Sequence, residues 1–289
     1  MKPIAVIPTL CTLGSAFCGF LAIAKGADAV AALNVTEGTT QEAQVERFHS
    51  LMRTGCWLIF LAMVFDALDG RLARLTKQSS DFGAMLDSLT DMLTFGAAPA
   101  LLLKFLFEST RRIHDQPFET KVVYLLTVLY VCCAALRLAR FTIDTEDEAE
   151  HHDFFAGLPT PAAAGFLCAS MLFYTLLGTS DGPRILLGPS QALTEFRGQF
   201  LSGVLLTCPL LGLLMITKVP YIHLVNRYMR GRRPYTYVAQ IVFVLFLLAI
   251  REVWALFLGF LAYVVVCPGI AKWESLRARK MGPEQRDVS

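Results

Sequence analysis

Charge is scarce in this chain. Only 17% of its 289 residues are Asp, Glu, Lys or Arg, against about 25% in soluble domains, which argues against an ordinary water-soluble fold. The 26 basic and 24 acidic residues nearly cancel, to a net +2, so nothing in the total points to nucleic acid. The 8 cysteines include no C-x-x-C pair, which removes the usual zinc and redox spacings. Nearly all of them fall in apolar stretches, where a cysteine acts as a small apolar residue. With 20 glycines and 13 prolines, the chain has too few of either for a collagen-like or low-complexity polymer. The pair His151-His152 sits in an acidic stretch, 144–153, and reads as a solvated loop rather than a metal site.

What the chain has in abundance is apolar surface: 55% of its residues are hydrophobic and its mean hydropathy is +0.52. Apolar stretches recur at 4–24, 54–72, 82–107, 122–141, 161–177, 200–217, 237–250 and 252–267. A helix crossing the hydrocarbon core needs roughly 20 residues, so these predict eight membrane spans, the last two short and separated only by Arg251-Glu252. The expected fold class is therefore all-α and polytopic, with a core at 1–217 and a C-terminal unit at 218–289. That second unit holds a basic loop, two further spans and a tail. Basic residues gather at one set of ends: Lys2, Arg71, Arg74, Arg137, Arg140, the cluster from Arg227 to Arg233, and Lys272. By the positive-inside rule that side, with both termini, is cytoplasmic. Pro8 and Gly14 interrupt the first apolar run, so it is expected to stay as a span rather than be cleaved as a leader. Trp57, Trp254 and Trp273 read as interface-belt or lipid-facing residues.

The few acidic residues inside spans carry the chemistry. The second span ends in Asp66-Ala67-Leu68-Asp69-Gly70-Arg71-Leu72-Ala73-Arg74, and the third carries Gly83, Asp87 and Asp91. On a helix, 66, 69, 70, 73 and 74 share one face, as do 83, 87 and 91. The polar link 76–81 joins the two spans as an antiparallel hairpin, so the stripes can face each other. Asp66 and Asp91 then lie roughly 13 Å into the membrane at about 1.5 Å per residue. Ionised carboxylates at that depth cost several kcal/mol unless paired, metal-bound or hydrated. Divalent cations are the simplest remedy, and carboxylate oxygens suit Mg²⁺ or Mn²⁺. Two such ions would clamp a diphosphate. Gly70, Ala73 and Gly83 remove side-chain bulk beside it, and Arg74 offers a planar fork for phosphate oxygens.

The run D-x2-D-G-x2-A-R-x8-G-x3-D-x3-D, from Asp66 to Asp91, resembles the signature of the CDP-alcohol phosphotransferase family at every fixed position and spacing. The resemblance implies that Asp66, Asp69, Asp87 and Asp91 bind two divalent metals and that Asp91 is the general base. It also implies that Gly70, Ala73, Arg74 and Gly83 hold the CDP moiety. It further implies a core of six transmembrane helices, formed here by the first six spans, a homodimer, and a site open to the cytoplasm. Three later runs, Phe95-Gly96-Ala97-Ala98-Pro99, Arg137-Leu138-Ala139-Arg140-Phe141 and the segment 157–165, are similar to the branch that takes CDP-diacylglycerol as donor and L-serine as acceptor. Thr9, Ser15 and Thr142 stand where that branch usually has Asn. Arg137 and Arg140, one turn apart, are the candidates for the serine carboxylate or the lipid phosphate; the 157–165 segment reads as a chain break and packing element. The nearest rival is another acceptor: glycerol phosphate, inositol phosphate, or serine with an archaeal ether lipid. A cation transporter with an aspartate-lined path is a rival of a different class, and it leaves Gly70, Ala73, Arg74 and Gly83 without a role.

Overall fold

The computed structural model describes residues 6–34, 40–76, 81–113, 119–147, 154–178, 191–217, 220–222, 252–266 and 269. The order of elements is α1 (Val6–Ala32), α2 (Gln41–Thr76), α3 (Asp81–Asp91), a π-helical turn (Met92–Ala97), α4 (Ala98–Ile113), α5 (Thr120–Asp147), β1 (Phe154–Ala156), α6 (Thr160–Leu177), α7 (Gln191–Ile216) and β2 (Pro220–Ile222). A shorter apolar helix, α8 (Glu252–Val266), follows.

Among the described residues, six helical stretches are long and apolar enough to cross a membrane: Ile7–Ala32, Gln41–Leu72, Phe82–Arg111, Thr120–Arg140, Thr160–Leu177 and Leu193–Ile216. In hydrocarbon every backbone N–H and C=O must be satisfied internally, and a helix does this within itself. The chain is an all-α, multi-pass integral membrane protein. These six match the first six expected spans, with α3, the π turn and α4 making up the third. The eighth expected span corresponds to α8, which is shorter than the others, and the seventh lies outside the described residues.

The helices overrun the expected spans. Helix α2 begins at Gln41 rather than at 54, because Glu42, Glu46 and Arg47 are polar without being helix breakers. The Thr40 hydroxyl accepts a hydrogen bond from the Ala43 N–H at 3.4 Å, a side-chain cap for that start. Hydropathy locates the bilayer, whereas caps and breakers locate helix ends.

Helix α6 forms the centre. It is apolar around its circumference and buried almost throughout, from Ala163 to Thr175, as expected of a helix surrounded by others. Helix α1 packs along α2, α5 along α7, and α6 against α2 and α7. On one side of α6 an aromatic group closes over Phe173: the Phe257 ring stacks at 4.7 Å and the Trp254 ring meets it edge-on at 4.7 Å. Trp254 is half-buried in this contact; Trp57 is exposed, and Trp273 lies outside the described residues. The described cysteines are free thiols, five of them buried, whereas Cys132 is exposed.

Two short strands supplement the helices. Strands β1 and β2 pair antiparallel, Phe154 opposite Ile222 and Ala156 opposite Pro220. Gly157 follows at φ 90°, and a Cβ there would run into the Met215 carbonyl oxygen and lie 2.8 Å from that of Thr217. The left-handed conformation and this close approach both require glycine. With Leu158 N–H donating to Leu214 O at 3.0 Å, the segment ahead of α6 is bound to the end of α7. This is the packing role expected for 157–165.

Candidate active site

The hairpin of α2 and α3 brings the aspartates together. One carboxylate oxygen each from Asp66, Asp69 and Asp87 lies within 4.8 Å of the others. Helical spacing sets this arrangement: Asp66 and Asp69 are three apart on α2, and Asp87 approaches from the facing stripe of α3. Asp69 is buried at 6% exposure, and its Oδ2 accepts a hydrogen bond of 2.9 Å from the Thr12 hydroxyl on α1.

Asp91 is the last residue of α3, at the entry to the π turn. It interacts electrostatically with Asp66, Asp87 and Asp69, and with the guanidinium of Arg137 on α5. Its Oδ1 is buried with no hydrogen-bond partner among the described residues. A π turn departs from the usual i→i+4 pattern and is common at functional sites; here it is held from both sides. Tyr130 OH on α5 donates to the Phe95 carbonyl at 2.9 Å, and Thr94 Oγ1 donates to the Ser15 carbonyl on α1 at 3.3 Å. Gly19 permits that second contact, since a Cβ there would sit 2.5 Å from Thr94 Oγ1. The helix carrying Asp91 is thereby braced just beyond the carboxylate.

Arg137 is half-buried, and its Nη1 donates to Thr160 Oγ1 at 3.3 Å while its Nε is buried without a partner among the described residues. Arg140, one turn further along, is exposed. The two expected acceptor-site arginines therefore occupy different environments, with Arg137 on the aspartate side. Gly70 is exposed, and among the described residues no atom beyond its own stretch of helix lies within 4 Å of where its Cβ would be, so the α2 stripe borders open space there. Gly83 is half-buried on the first turns of α3. Ala73 and Arg74 fall on the last turn of α2, with side chains outside the described residues.

Among the described residues, four carboxylates with one guanidinium near Asp91 leave an excess of negative charge in a partly desolvated place, and added positive charge stabilises such a group. The cluster of three carboxylates and the orphaned Asp91 oxygen offer hard oxygen donors, the donor set of divalent cations rather than of softer metals. The residues present fit such ions. Three contributors were missed from the sequence: Thr12, Tyr130 and Thr160. Each is a hydroxyl in an otherwise apolar or proline-bounded stretch, and that is the only signal the sequence offers.

The fold and site together define a multi-pass membrane protein that gathers a cluster of carboxylates on a hairpin of two of its helices. The sequence model of the CDP-alcohol phosphatidyltransferase family matches residues 6–196, and the chain belongs to that family, whose members in general depend on divalent metal. Among individual relatives, it is 33% identical over 166 residues to a CDP-diacylglycerol–serine O-phosphatidyltransferase of Helicobacter pylori, covering 57% of this chain and 59% of that one. It is 42% identical over 107 residues to the protein of the same name from Methanocaldococcus jannaschii, covering 37% and 45%. With the Saccharomyces cerevisiae protein of that name it shares 36% identity over 110 residues, 36% of each chain. The match thus spans less than two thirds of the length of each of these relatives.

Proposed function

We propose that the protein is a phosphatidylserine synthase, transferring the phosphatidyl group of CDP-diacylglycerol to the hydroxyl of L-serine with release of CMP. The observation that carries this reading is the acidic hairpin: four aspartates on the family's spacing, with a buried, unpartnered Asp91 oxygen beside three clustered carboxylates. Serine as the acceptor is supported by the names of the relatives.

Asp66, Asp69, Asp87 and Asp91 hold two divalent cations, Mg²⁺ or Mn²⁺. Bound there, such ions neutralise the donor's diphosphate and polarise its phosphorus–oxygen bonds. Gly70, Ala73 and Gly83 let the cytidine diphosphate lie against the helices, and Arg74 binds its phosphate oxygens. Asp91 accepts the proton of the serine hydroxyl. The serine oxygen then forms a bond to the lipid-side phosphorus as the bond to the CMP oxygen breaks, and CMP leaves with that electron pair. No side chain is needed as a covalent carrier, so the displacement is direct. Arg137 holds the serine carboxylate or the lipid phosphate: its place near Asp91 and its free Nε favour it over the exposed Arg140. Residues 1–217 form the catalytic core and 218–289 the accessory unit. The enzyme works as a homodimer in the cytoplasmic membrane, with its site facing the cytoplasm.

The test uses membranes containing the full chain, supplied with CDP-diacylglycerol and a radiolabelled alcohol. Serine should enter lipid with stoichiometric CMP release, in a reaction lost on chelation and restored by Mg²⁺ or Mn²⁺. Incorporation of glycerol phosphate or inositol phosphate in place of serine would overturn the acceptor assignment. Metal flux into liposomes without nucleotide, and no CMP release, would replace the enzyme by a transporter.

A further inference from the structure

The end of the bundle remote from the aspartates carries a second group of buried polar atoms, of opposite sign. His49 and Arg53 lie one turn apart on α2, and His49 precedes Asp66 by 17 residues, about 25 Å along the helix at about 1.5 Å per residue. Arg197 comes from α7, and its guanidinium lies over the ring of Tyr174 on α6, 4.9 Å from its centre. The His49 ring lies 6.2 Å from the same tyrosine ring, and both Arg197 and Arg53 interact electrostatically with His49. Tyr174 is itself fixed: it is 2% exposed, and its hydroxyl donates to Thr110 Oγ1 on α4 at 3.3 Å. Three helices thus bring a guanidinium group and an imidazole against one anchored aromatic ring, with Arg53 one turn from that imidazole on α2.

Among the described residues no anion pairs with these groups. His49 Nδ1 and Arg197 Nε are buried with no hydrogen-bond partner among the described residues. Lys25–Asp28 and Lys104–Glu108 are ion pairs of the fold, and neither involves Arg53 or Arg197. The C-terminal end of α6 accounts for part of Arg197's position. A Cβ on Gly178 would lie 2.6 Å from its Nη2, and a cation is favourable at a helix C-terminus. That contact leaves Nε unbonded and explains neither Arg53 nor His49. The forked geometry of guanidinium matches phosphate oxygens.

We propose that His49, Arg53 and Arg197 form an anion site that takes a phosphate group, separate from the reaction centre at the other end of the bundle. The phosphate belongs either to an anionic phospholipid headgroup or to free phosphate. Arg197, stacked on Tyr174, is presented in a fixed orientation, so little side-chain freedom is lost on binding.

The experiment uses the full chain in nanodiscs of phosphatidylcholine, with either phosphatidylglycerol added to the bilayer or inorganic phosphate added to the buffer. Retention of the anionic lipid is read by native mass spectrometry, and phosphate binding by the shift in thermal midpoint. Wild type should bind one of the two probes, and Arg53→Gln and Arg197→Gln should each weaken that binding by roughly 10- to 100-fold, the value of charge-assisted hydrogen bonds. Binding of phosphatidylglycerol alone identifies a lipid headgroup as the source; binding of inorganic phosphate identifies free phosphate. If wild type binds neither, or the variants bind as wild type does, the site does not exist. Should Arg197→Gln fail to fold through loss of its contact with α6, Arg53→Gln and His49→Gln decide the question. Because the readout is binding, it stands apart from the serine-transfer reading and from the aspartate cluster.

Discussion

Helix α6 is buried from Ala163 to Thr175, whereas the hairpin of α2 and α3 leaves, among the described residues, Gly70 beside open space and a buried Asp91 oxygen without a partner. Packing around α6 is complete: Leu167, Cys168 and Ala169 have no exposure at all. At the hairpin, packing is withheld, and like charges are gathered where they destabilise the protein alone. The difference separates two uses of sequence. Around α6, side chains contribute to stability through volume and dispersion. On the hairpin they contribute to a ligand complex, and the folded state bears the repulsion until positive charge arrives.

The largest expected effects test this division directly. Asp91→Asn should lower CMP release by about 10²- to 10⁴-fold, the usual worth of a positioned general base. Its thermal midpoint in cation-free detergent should hold or rise, since one of four repelling charges is gone. Leu167→Ala should do the reverse, costing about 2–5 kcal/mol of stability through the lost transfer energy and the cavity left behind. Turnover per folded molecule should survive. Full turnover in Asp91→Asn would remove the base; unchanged stability in Leu167→Ala would show that α6 is less tightly enclosed than its burial indicates.

Two glycines sharpen the comparison, with effects of opposite sign. A Cβ at Gly19 would lie 2.5 Å from Thr94 Oγ1 and 3.0 Å from the Thr94 backbone. Gly19→Ala should therefore overpack the contact that braces the π turn and cost about 1–3 kcal/mol. At Gly70 nothing lies within 4 Å, and Gly70→Ala on an open helix face should gain up to about 1 kcal/mol from helix propensity. Its cost should fall on the donor, as a higher KM for CDP-diacylglycerol. Thermal melts of the two variants side by side, with donor titrations, check both signs; a destabilised Gly70→Ala or a neutral Gly19→Ala would contradict the division.

The features legible in the sequence were those with a local period. Hydropathy located six spans, and spacings of three and four residues on one helix face located Asp66 and Asp69 opposite Asp87. Features formed by contacts across the fold were not legible. The partner of Asp69 is Thr12, 57 positions away in the chain, and the partner of Arg137 is Thr160, 23 away. The π turn after Asp91 was also missed, because its residues, Met92 to Ala97, continue the apolar run without a break and carry no turn signal.

Thr12 joins the two kinds of region, since it belongs to an apolar helix yet acts on the acidic cluster. Thr12 is 5% exposed, and its hydroxyl lies 2.9 Å from Asp69 Oδ2 and 3.1 Å from the Pro8 carbonyl oxygen. A donor that fixes a ligating carboxylate acts through the ligand, and removing such a partner usually weakens metal affinity by about 10- to 100-fold. Thr12→Val keeps the shape and removes the donor, so the Mn²⁺ concentration for half-maximal CMP release should rise by that factor. At saturating Mn²⁺ the turnover should return close to that of the parent. Thr12→Ser should restore the affinity, and a direct Mn²⁺ titration by electron paramagnetic resonance should follow the same order without any substrate present. Equal Mn²⁺ affinity in Thr12→Val and the parent would reduce Thr12 to a space-filling residue of α1 and return it to the packed side of the comparison.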